Sequence, residues 1–381
     1  MDEVVSLTQA LVQFDTVNPP GQEEAAIRHL GQYLERNGLQ VEYQRLAEQR
    51  LNLTARIRGH REGHLVLCGH MDVVHPGAAD WEHGPFEGAI VDGRLIGRGS
   101  ADMKGGVAAM AVAMVELAKS GFEPDGDLIL AVTSGEEVDM AGARLIAKSE
   151  MLQGSAYFVI GEPTGLDVFR AEKGVLWVRI TARGRTAHGS MPHLGVNAIS
   201  YVSRLITRLE SYPFPFTASP VLGSPTVSVN VIEGGVKVNV VPDQCVVQID
   251  LRLVPGQTAS QVLSQLRQVM SDVADEIPAE AQLDVMQDVP AIETDSRDPL
   301  VEAVVRAVRE VRQVEPVVGG VSYGTDGAIL APAVRASMIV FGPGSPGQAH
   351  QPNEYVDLPE LNHAVEAYML IARSLLTRST V

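Results

Sequence analysis

The chain of 381 residues has few of the features that mark secreted or membrane proteins. It contains only two cysteines, Cys68 and Cys245, which excludes a disulfide framework and favours a reducing, cytoplasmic setting. Both stand in apolar, strand-like runs, so we expect buried and inert thiols. No run of about eighteen uninterrupted apolar residues is present, which argues against a membrane-spanning helix. The start, MDEVVSLTQALVQFDT, has an amphipathic helical pattern without the basic and apolar regions of a signal peptide.

Basic clusters are also missing. The formal net charge is −17, and no run of five lysines or arginines occurs. We therefore expect no nucleic-acid partner, because binding a phosphate backbone requires concentrated positive charge. Hydrophobic residues make up 45% of the sequence, which is enough for a packed globular protein. Without internal repeats or low-complexity segments, this length predicts two domains.

The first part of the chain alternates helical and strand patterns. The expected helices are 3–14, 22–37 and 104–119, and the expected strands are 39–45, 52–58, 64–69, 127–133 and 156–160. Asp92-Gly93 marks the turn of a hairpin over 89–97. Such alternation predicts an α/β fold whose mixed, mostly parallel sheet carries helices on both faces.

The pattern changes near residue 173. Strands at 226–232 and 244–254 flank a shorter piece at 236–241, and helices are expected at 195–210 and 258–275. With a strand at GVLWVRITARG and another at 282–288, the order is β-α-β-β-α-β. A helix (298–313), a strand (337–341) and a last helix (358–376) follow. We therefore expect a catalytic domain formed by residues 1–172 plus 286–381, interrupted by a smaller inserted domain at 173–285.

Polar residues gather where the predicted strands end. In open α/β sheets, ligands bind beyond the carboxyl ends of the strands. The residues that follow such strands, or that stand in the glycine-rich loop GRGSADMKGG, are His70, Asp72, Asp102, Glu136, Glu137, Glu162 and His350. Imidazoles and carboxylates without cysteine suit zinc, manganese or cobalt. Three or four ligands per ion and one shared carboxylate would serve two ions about 3.5–4 Å apart.

Each of these residues also has an ordinary interpretation. A histidine after a strand is commonly a hydrogen-bonded loop residue, and Glu162 is compatible with a loop acid. Glu136-Glu137 is compatible with the acidic first turn of a helix, and Asp102 with an N-cap. Their joint occurrence at one expected sheet edge favours a single site.

Six motifs, in order along the chain, carry a family resemblance. They are GHMDVVHPG, GRGSADMKGG, TSGEEVDMAGA, GEPTG, GRTAHGSMPHLGVNAI and GPGSPGQAHQPNEYV. Together they resemble the signatures of the family of aminoacylase, acetylornithine deacetylase, succinyl-diaminopimelate desuccinylase and carboxypeptidase G. The resemblance runs from about residue 10 to residue 370. It implies a zinc-exopeptidase-like fold with an inserted dimerisation or lid domain.

The resemblance also implies two divalent metal ions, expected to be zinc, with cobalt or manganese as alternatives. His70 and Glu162 would bind one ion. Glu137 and His350 would bind the other, and Asp102 would bridge the two.

Two further roles follow from the resemblance. Asp72 would orient the ligand His70, and Glu136 would act as general base for a water held between the ions. The family pattern further implies a cis peptide bond between Asp102 and Met103.

Substrate contacts are expected from the inserted domain. The resemblance places His188, in TAHGS, near the oxyanion and, in dimeric relatives, in the site of the partner subunit. It thus implies a homodimer formed through residues 173–285. Without the resemblance, His188 is equally compatible with a turn residue beside Gly189.

A substrate carboxylate has several candidate partners. Arg252 offers a planar guanidinium, although an exposed strand arginine is the simpler interpretation. Asn239 matches a family position that touches substrate. Gly324 and Thr325 precede a helix whose first amides suit the same carboxylate, and Asp326 is expected to cap that helix.

Together with these residues, the resemblance implies hydrolysis of the amide bond of N-acyl amino acids or small peptides. A dipeptidase or carboxypeptidase of the same family is the alternative, and Glu162, in place of an aspartate, favours deacylases and carboxypeptidases over aminopeptidases. A dinucleotide-binding protein is rejected because Asp102 stands where the third glycine is required. A phosphoesterase is disfavoured because the site offers one arginine. A catalytically silent binding protein would lack a ligand or the base, and neither is missing.

Overall fold

The computed structural model describes residues 2–377. Within that range, the helices are α1 (Glu3–Val12), α2 (Glu24–Arg36), α3 (Lys104–Lys119), α4 (Ala141–Ile146), α5 (Ala198–Glu210), α6 (Ala259–Ala274), α7 (Pro299–Arg312), α8 (Gly327–Val334) and α9 (Leu358–Leu376). The strands are β1 (Gln40–Ala47), β2 (Arg50–Ile57), β3 (Arg61–His70), β4 (Ala89–Val91), β5 (Arg94–Ile96), β6 (Gly126–Thr133), β7 (Ser155–Ile160), β8 (Val168–Glu172), β9 (Gly174–Arg183), β10 (Thr226–Gly234), β11 (Gln244–Leu253), β12 (Glu280–Val289), β13 (Ile292–Glu293), β14 (Val318–Val321), β15 (Ser337–Val340) and β16 (Tyr355–Asp357). None of the described helices is long and apolar enough to cross a membrane.

The chain forms two compact units. The first consists of the residues up to Ala171, Glu293–Gly320 and the residues from Thr325 onward. The second consists of Glu172–Ile292 and Val321–Gly324.

A nine-stranded sheet organises the first unit. Its order is β1-β2-β6-β3-β7-β15-β8-β13, with β14 paired to β8. The central strands β6, β3, β7 and β15 run parallel, whereas β1, β2 and β8 pair antiparallel to their neighbours. The carboxyl ends of the parallel strands therefore lie along one edge.

Helices cover both faces of this sheet, because its central strands are buried on both sides. Leu65 and Leu67 of β3 belong to the same core as α1, α3, α7 and α9. Val66 and Cys68, which alternate with them, point to the opposite face and are also fully buried. There α8 contacts β7 and β15, and α4 contacts β2. The predicted fold class, a mixed and mostly parallel sheet with helices on both faces, is confirmed.

Helix α3 approaches the sheet edge closely because it begins with two glycines. A methyl group on Gly106 would lie 2.1 Å from the carbonyl oxygen of Gly161. A methyl group on Gly105 would lie 2.4 Å from the carbonyl oxygen of Ser100. Both distances are far below van der Waals contact. These glycines therefore allow α3 to pack against Gly161, which follows β7, and against the loop that precedes the helix.

The second unit contains an antiparallel sheet of order β10-β11-β9-β12. Its elements follow in the order β9-α5-β10-β11-α6-β12, as the sequence predicted. Leu176, Val178 and Ile180 of β9 pack with α5 and α6, while Trp177 between them is 37% exposed. This alternation is typical of an antiparallel sheet with one packed face.

Several details differ from the sequence-based expectations. Residues 236–241 form a turn with an isolated β-bridge at Val240 instead of a strand, and Val236 and Val238 are 91% and 102% exposed. The short strands β8, β13, β14 and β16 were not predicted, because two to five residues are too few for a recognisable periodicity. The hairpin turn at Asp92-Gly93 is confirmed, with positive φ at both residues. Cys68 and Cys245 are buried free thiols, as expected.

Gly106→Ala tests the close packing of α3. The methyl group would meet backbone atoms that cannot rotate away, so we expect the free energy of unfolding to fall by about 1–3 kcal/mol. Urea denaturation measures this change. Gly84→Ala is the matched control, since its methyl group would meet Glu87 at an ordinary 3.6 Å. Equal stability of the two variants would contradict the packing described here.

Candidate metal centre

The ends of three parallel strands bring polar side chains to one edge of the nine-stranded sheet. His70 is the last residue of β3 and pairs in register with Thr133, the last residue of β6. β7 ends at Ile160, two residues before Glu162. Because neighbouring parallel strands end side by side, the segments that follow them meet at this edge.

Asp102 lies between two histidines that are far apart in sequence. Its Oδ1 lies 3.3 Å from Nε2 of His70, and its Oδ2 lies 3.3 Å from Nε2 of His350. Glu162 Oε1 lies 3.3 Å from the same nitrogen of His70. Glu137 Oε2 lies 3.2 Å from Nε2 of His350. The two oxygens of Asp102 thus face two different groups of candidate ligands.

Glu136 lies nearer to one of these groups. Its Oε2 is 3.9 Å from Nε2 of His70, farther away than the Asp102 and Glu162 oxygens. Two sets of residues bring their possible metal-ligand atoms within 4.8 Å of one another. One set is His70 with Asp102 and Glu137, and the other is His70 with Glu136 and Glu162. The sets share His70 and differ in their carboxylates, so proximity alone does not separate a metal ligand from a base.

The carboxylate of Asp72 organises the segment that carries the paired glutamates. Asp72 is fully buried, and its oxygens accept hydrogen bonds from the backbone amides of Gly135 (2.8 Å), Glu136 (3.2 Å) and Glu137 (3.2 Å). Nδ1 of His70 donates instead to the backbone carbonyl of Asp72, at 2.9 Å. Asp72 therefore contacts His70 through its main chain and the glutamates through its side chain.

Asn18 completes the surroundings of Asp72. Its side-chain amide donates to Oδ2 of Asp72 at 2.9 Å, and the residue is 5% exposed. Sequence reasoning missed Asn18. The surrounding sequence NPPG indicates only a turn, in which the bonds Asn18–Pro19 and Pro19–Pro20 are both cis.

Burial sets the protonation of the acids. It raises the pKa of Glu162 to about 8, with a further increase from the Asp102 carboxylate. It also raises the pKa of Glu136 well above its ordinary value. Burial alone would raise the pKa of Asp102, but hydrogen bonds from His350 and His70 lower it below its usual range. The described side chains thus supply too little positive charge for all these carboxylates.

The pKa values of both histidines are raised as well, which favours the charged imidazolium form. Hydrogen bonds to Asp102 and Glu137 raise the pKa of His350 to about 10. For His70, burial lowers the pKa, but the charge of Glu162 and the neighbouring acids raise it well above its ordinary value. Divalent cations would take over the charge balance that protons provide here.

The donor set suits such cations. Glu137 Oε1 is buried and has no hydrogen-bond partner among residues 2–377. A buried carboxylate oxygen without a donor is costly unless a cation binds it. The two groups of neighbouring ligand atoms contain imidazole and carboxylates and no cysteine, a set that fits zinc, cobalt or manganese.

The local backbone excludes two of the ordinary interpretations. The N-cap of α3 is Met103, with no side-chain capping bond, so Asp102 does not cap the helix. Glu136 and Glu137 lie in a turn, and α4 begins only at Ala141, so they do not form the first turn of a helix. The expected cis bond between Asp102 and Met103 is confirmed.

Two candidate substrate residues are neighbours within the second unit. His188 is exposed, and its Nδ1 lies 2.8 Å from the hydroxyl of Ser190. It forms a β-bridge with Val240, and the amide of Gly189 donates to the carbonyl of Asn239 at 2.8 Å. The loops that carry His188 and Asn239 are therefore held together by backbone bonds.

The other candidates are more constrained than expected. Arg252 pairs with Asp250 on the same strand, at 2.9 and 3.0 Å, and its side chain is 25% exposed. Gly324 belongs to the second unit, whereas Thr325 belongs to the first and is fully buried. Asp326 stands at the N-cap position of α8, as expected, but its side chain makes no capping bond and accepts a 2.5 Å hydrogen bond from the Thr133 hydroxyl instead.

Comparisons with known proteins confirm the family resemblance. Residues 66–374 match the model of peptidase family M20/M25/M40. A probable succinyl-diaminopimelate desuccinylase of Staphylococcus epidermidis is 30% identical over 92% of each chain. An acetylornithine deacetylase of Proteus mirabilis is 32% identical over 88% of this chain and 86% of that one.

A solved structure shows the same fold. The M20 family metallo-carboxypeptidase of Sulfolobus solfataricus superposes with a TM-score of 0.83 and 18% identity, over 98% of this chain and 99% of that one. With a family model that spans most of its length and relatives named as hydrolases, this chain belongs to peptidase family M20/M25/M40 and is a metal-binding hydrolase.

Proposed function

We propose that the protein hydrolyses the amide bond of N-acyl amino acids, with two divalent ions, zinc first among them, at the edge of the nine-stranded sheet. The observation that carries the proposal is Asp102, whose two oxygens each lie 3.3 Å from a different histidine. His70 and Glu162 would hold one ion, and His350 and Glu137 the other. Asp102 would contact both.

Bound ions would lower the pKa of a water toward about 7 and withdraw charge from the scissile carbonyl. Glu136 would accept a proton from the attacking water and return it to the departing nitrogen. Burial favours the protonated form of this carboxyl, which suits a group that must hold and then release a proton. Asp72 would keep Glu136 in place through the three amides that it binds.

The inserted unit would supply the substrate contacts. His188 is exposed and would donate a hydrogen bond to the developing oxyanion, with Asn239 beside it. Arg252 would form an ion pair with a substrate carboxylate and would lose part of its pairing with Asp250 when it does so. Gly324 and Thr325 precede α8, whose first backbone amides would bind the same carboxylate.

We further propose a cytoplasmic homodimer built through residues 173–285. Apolar side chains on the strands of the second unit support this, since contiguous exposed apolar surface is typical of an interface. These side chains are Trp177 (37% exposed), Val231 (37%) and Met286 (41%), which line one cavity on the strands β9, β10 and β12.

A dipeptidase or carboxypeptidase is the second candidate. It is supported by the carboxypeptidase named among the structural neighbours, although that protein is only 18% identical. The deacylase is favoured because the relatives at 30% and 32% identity are named as a desuccinylase and a deacetylase.

A substrate panel tests the proposed reaction. N-acetyl, N-succinyl and N-formyl amino acids and dipeptides are incubated with metal-loaded enzyme, and release of the free amine is measured. We expect an N-acyl amino acid to give the highest kcat/KM, and a chelator to abolish all turnover, because the reaction needs the ions. Faster cleavage of dipeptides would favour the peptidase, and turnover that survives the chelator would exclude a metal-dependent reaction.

Mixed dimers test whether His188 acts across the interface. Glu136→Ala and His188→Ala should each lower kcat by at least about 10²-fold, the scale of a positioned acid–base or oxyanion group. If each site combines Glu136 of one subunit with His188 of the other, a mixed dimer keeps one intact site. Re-equilibrated mixtures should then regain about a quarter of the wild-type activity, because half of the dimers are mixed.

The surface variant Glu150→Ala is the matched control for the mixing experiment, since Glu150 is exposed. Mixing it with either inactive variant should give only the activity expected from dilution. No recovery in the mixture of the two inactive variants would place His188 in the site of its own subunit.

A further inference from the structure

A buried ion pair lies beside the loop that carries Asp102. Glu354 and Arg98 are 0% and 1% exposed, and Nη1 of Arg98 lies 2.6 Å from Oε2 of Glu354. Glu354 directly precedes β16, which pairs antiparallel with β5. The backbone amide of Gly97 donates to the carbonyl of Glu354 at 2.9 Å. This pairing places Glu354 next to residues 97–102.

The carboxylate of Glu354 gathers the backbone amides of that loop. Oε1 accepts hydrogen bonds from Ala101 and Asp102, both at 2.9 Å. Oε2 accepts from Gly99 at 3.0 Å, in addition to Arg98. Such a concave set of amides around one anion fixes the course of the backbone. The position of Asp102 therefore depends on the charge and length of the Glu354 side chain.

Glu354 also holds the loop of the second histidine. His350 stands four residues earlier, in the left-handed region with φ 63°, and its side chain is 53% exposed. Between Ser345 and Tyr355, Glu354 is the single buried residue. His70, by contrast, ends a central strand and is 1% exposed. The loop of His350 thus relies on one buried anchor, whereas His70 is held by the sheet.

We propose that Glu354 is a positioning residue that sets the affinity for the ion between Asp102, Glu137 and His350. It joins the backbone of the bridging aspartate to the loop of the exposed histidine, so both ligands move if it is lost. The ion beside His70 and Glu162 would share Asp102 but keep two ligands at the ends of buried strands, so it should be affected less. This inference rests on the proposed two-metal site.

Glu354→Gln is the direct test. The amide has the size of the carboxylate, but its NH₂ group would face two donors whichever way it turns, so hydrogen bonds to the loop are lost. Metal-free protein is titrated with Co²⁺ by calorimetry and visible absorption, and bound metal is counted after dialysis. Wild-type protein should bind two ions. In Glu354→Gln the weaker ion should bind about 10–100-fold less tightly, and the tighter ion nearly as before.

Arg98→Met separates positioning from general stability. It removes the buried ion pair but leaves the three amide bonds to Glu354, so both ions should bind within about threefold of wild type, well below the 10–100-fold loss expected when positioning fails. Arg98→Met/Glu354→Gln avoids an unpaired buried charge and should still lose the weaker ion, even if Glu354→Gln alone does not fold. Glu293→Gln is the matched control, because Glu293 pairs with Arg170 at 2.9 Å on the edge strand β13.

The outcomes are distinct. Wild-type affinity for both ions in Glu354→Gln, or in the double variant, would overturn the inference. An equal loss in Arg98→Met would also overturn it, since metal binding would then follow stability alone. Wild-type protein that binds no pair of ions would instead refute the two-metal site itself.

Discussion

Buried negative charge accumulates at one edge of the parallel strands, and the rest of the site depends on how this charge is balanced. Asp102, Glu162 and Glu136 lie within a few ångströms of His70, and burial penalises each ionised carboxylate. Two histidines cannot balance this charge and remain neutral ligands. Such a cluster is stable in a folded protein only when cations bind it or when protons occupy it. The raised pKa values of Glu162 and His350 describe the protonated alternative.

The surrounding fold holds the acids together against this repulsion. The parallel strands provide rigid ends, and the glycines that begin α3 allow the helix to approach within contact of Gly161. Two further buried carboxylates, Asp72 and Glu354, each bind three backbone amides of a segment that carries candidate ligands. Neither of these carboxylates needs to touch a metal ion. Both hold the candidate ligands in place through the backbone.

Much of the candidate site at the sheet edge could be predicted from the sequence. The strand before His70 is a continuous apolar run, and a parallel sheet collects the residues after such strands at one edge. His70, Glu137, Glu162 and His350 come together for this reason, whereas Asp102 reaches the same edge from the loop before α3. Their individual roles came from the family resemblance and remain predictions.

Other features could not be predicted because they depend on long-range backbone contacts. Glu354 lies more than 250 residues from the loop whose amides it binds, and no local pattern marks that contact. Asn18 is bonded to Asp72 across 54 residues. Asp326 looked like an N-cap by its position, but tertiary structure turned its side chain toward Thr133. The N-cap preference of an aspartate predicts its contacts poorly where its buried carboxylate can accept a hydrogen bond from a residue distant in sequence.

The most direct test is anomalous diffraction from crystals of the zinc-loaded protein, recorded on both sides of the zinc absorption edge. We predict two zinc peaks in the anomalous difference map, about 3.5–4 Å apart on either side of the Asp102 carboxylate. One should lie beside His70 and the other beside His350. A single peak, or peaks away from these histidines, would contradict this prediction.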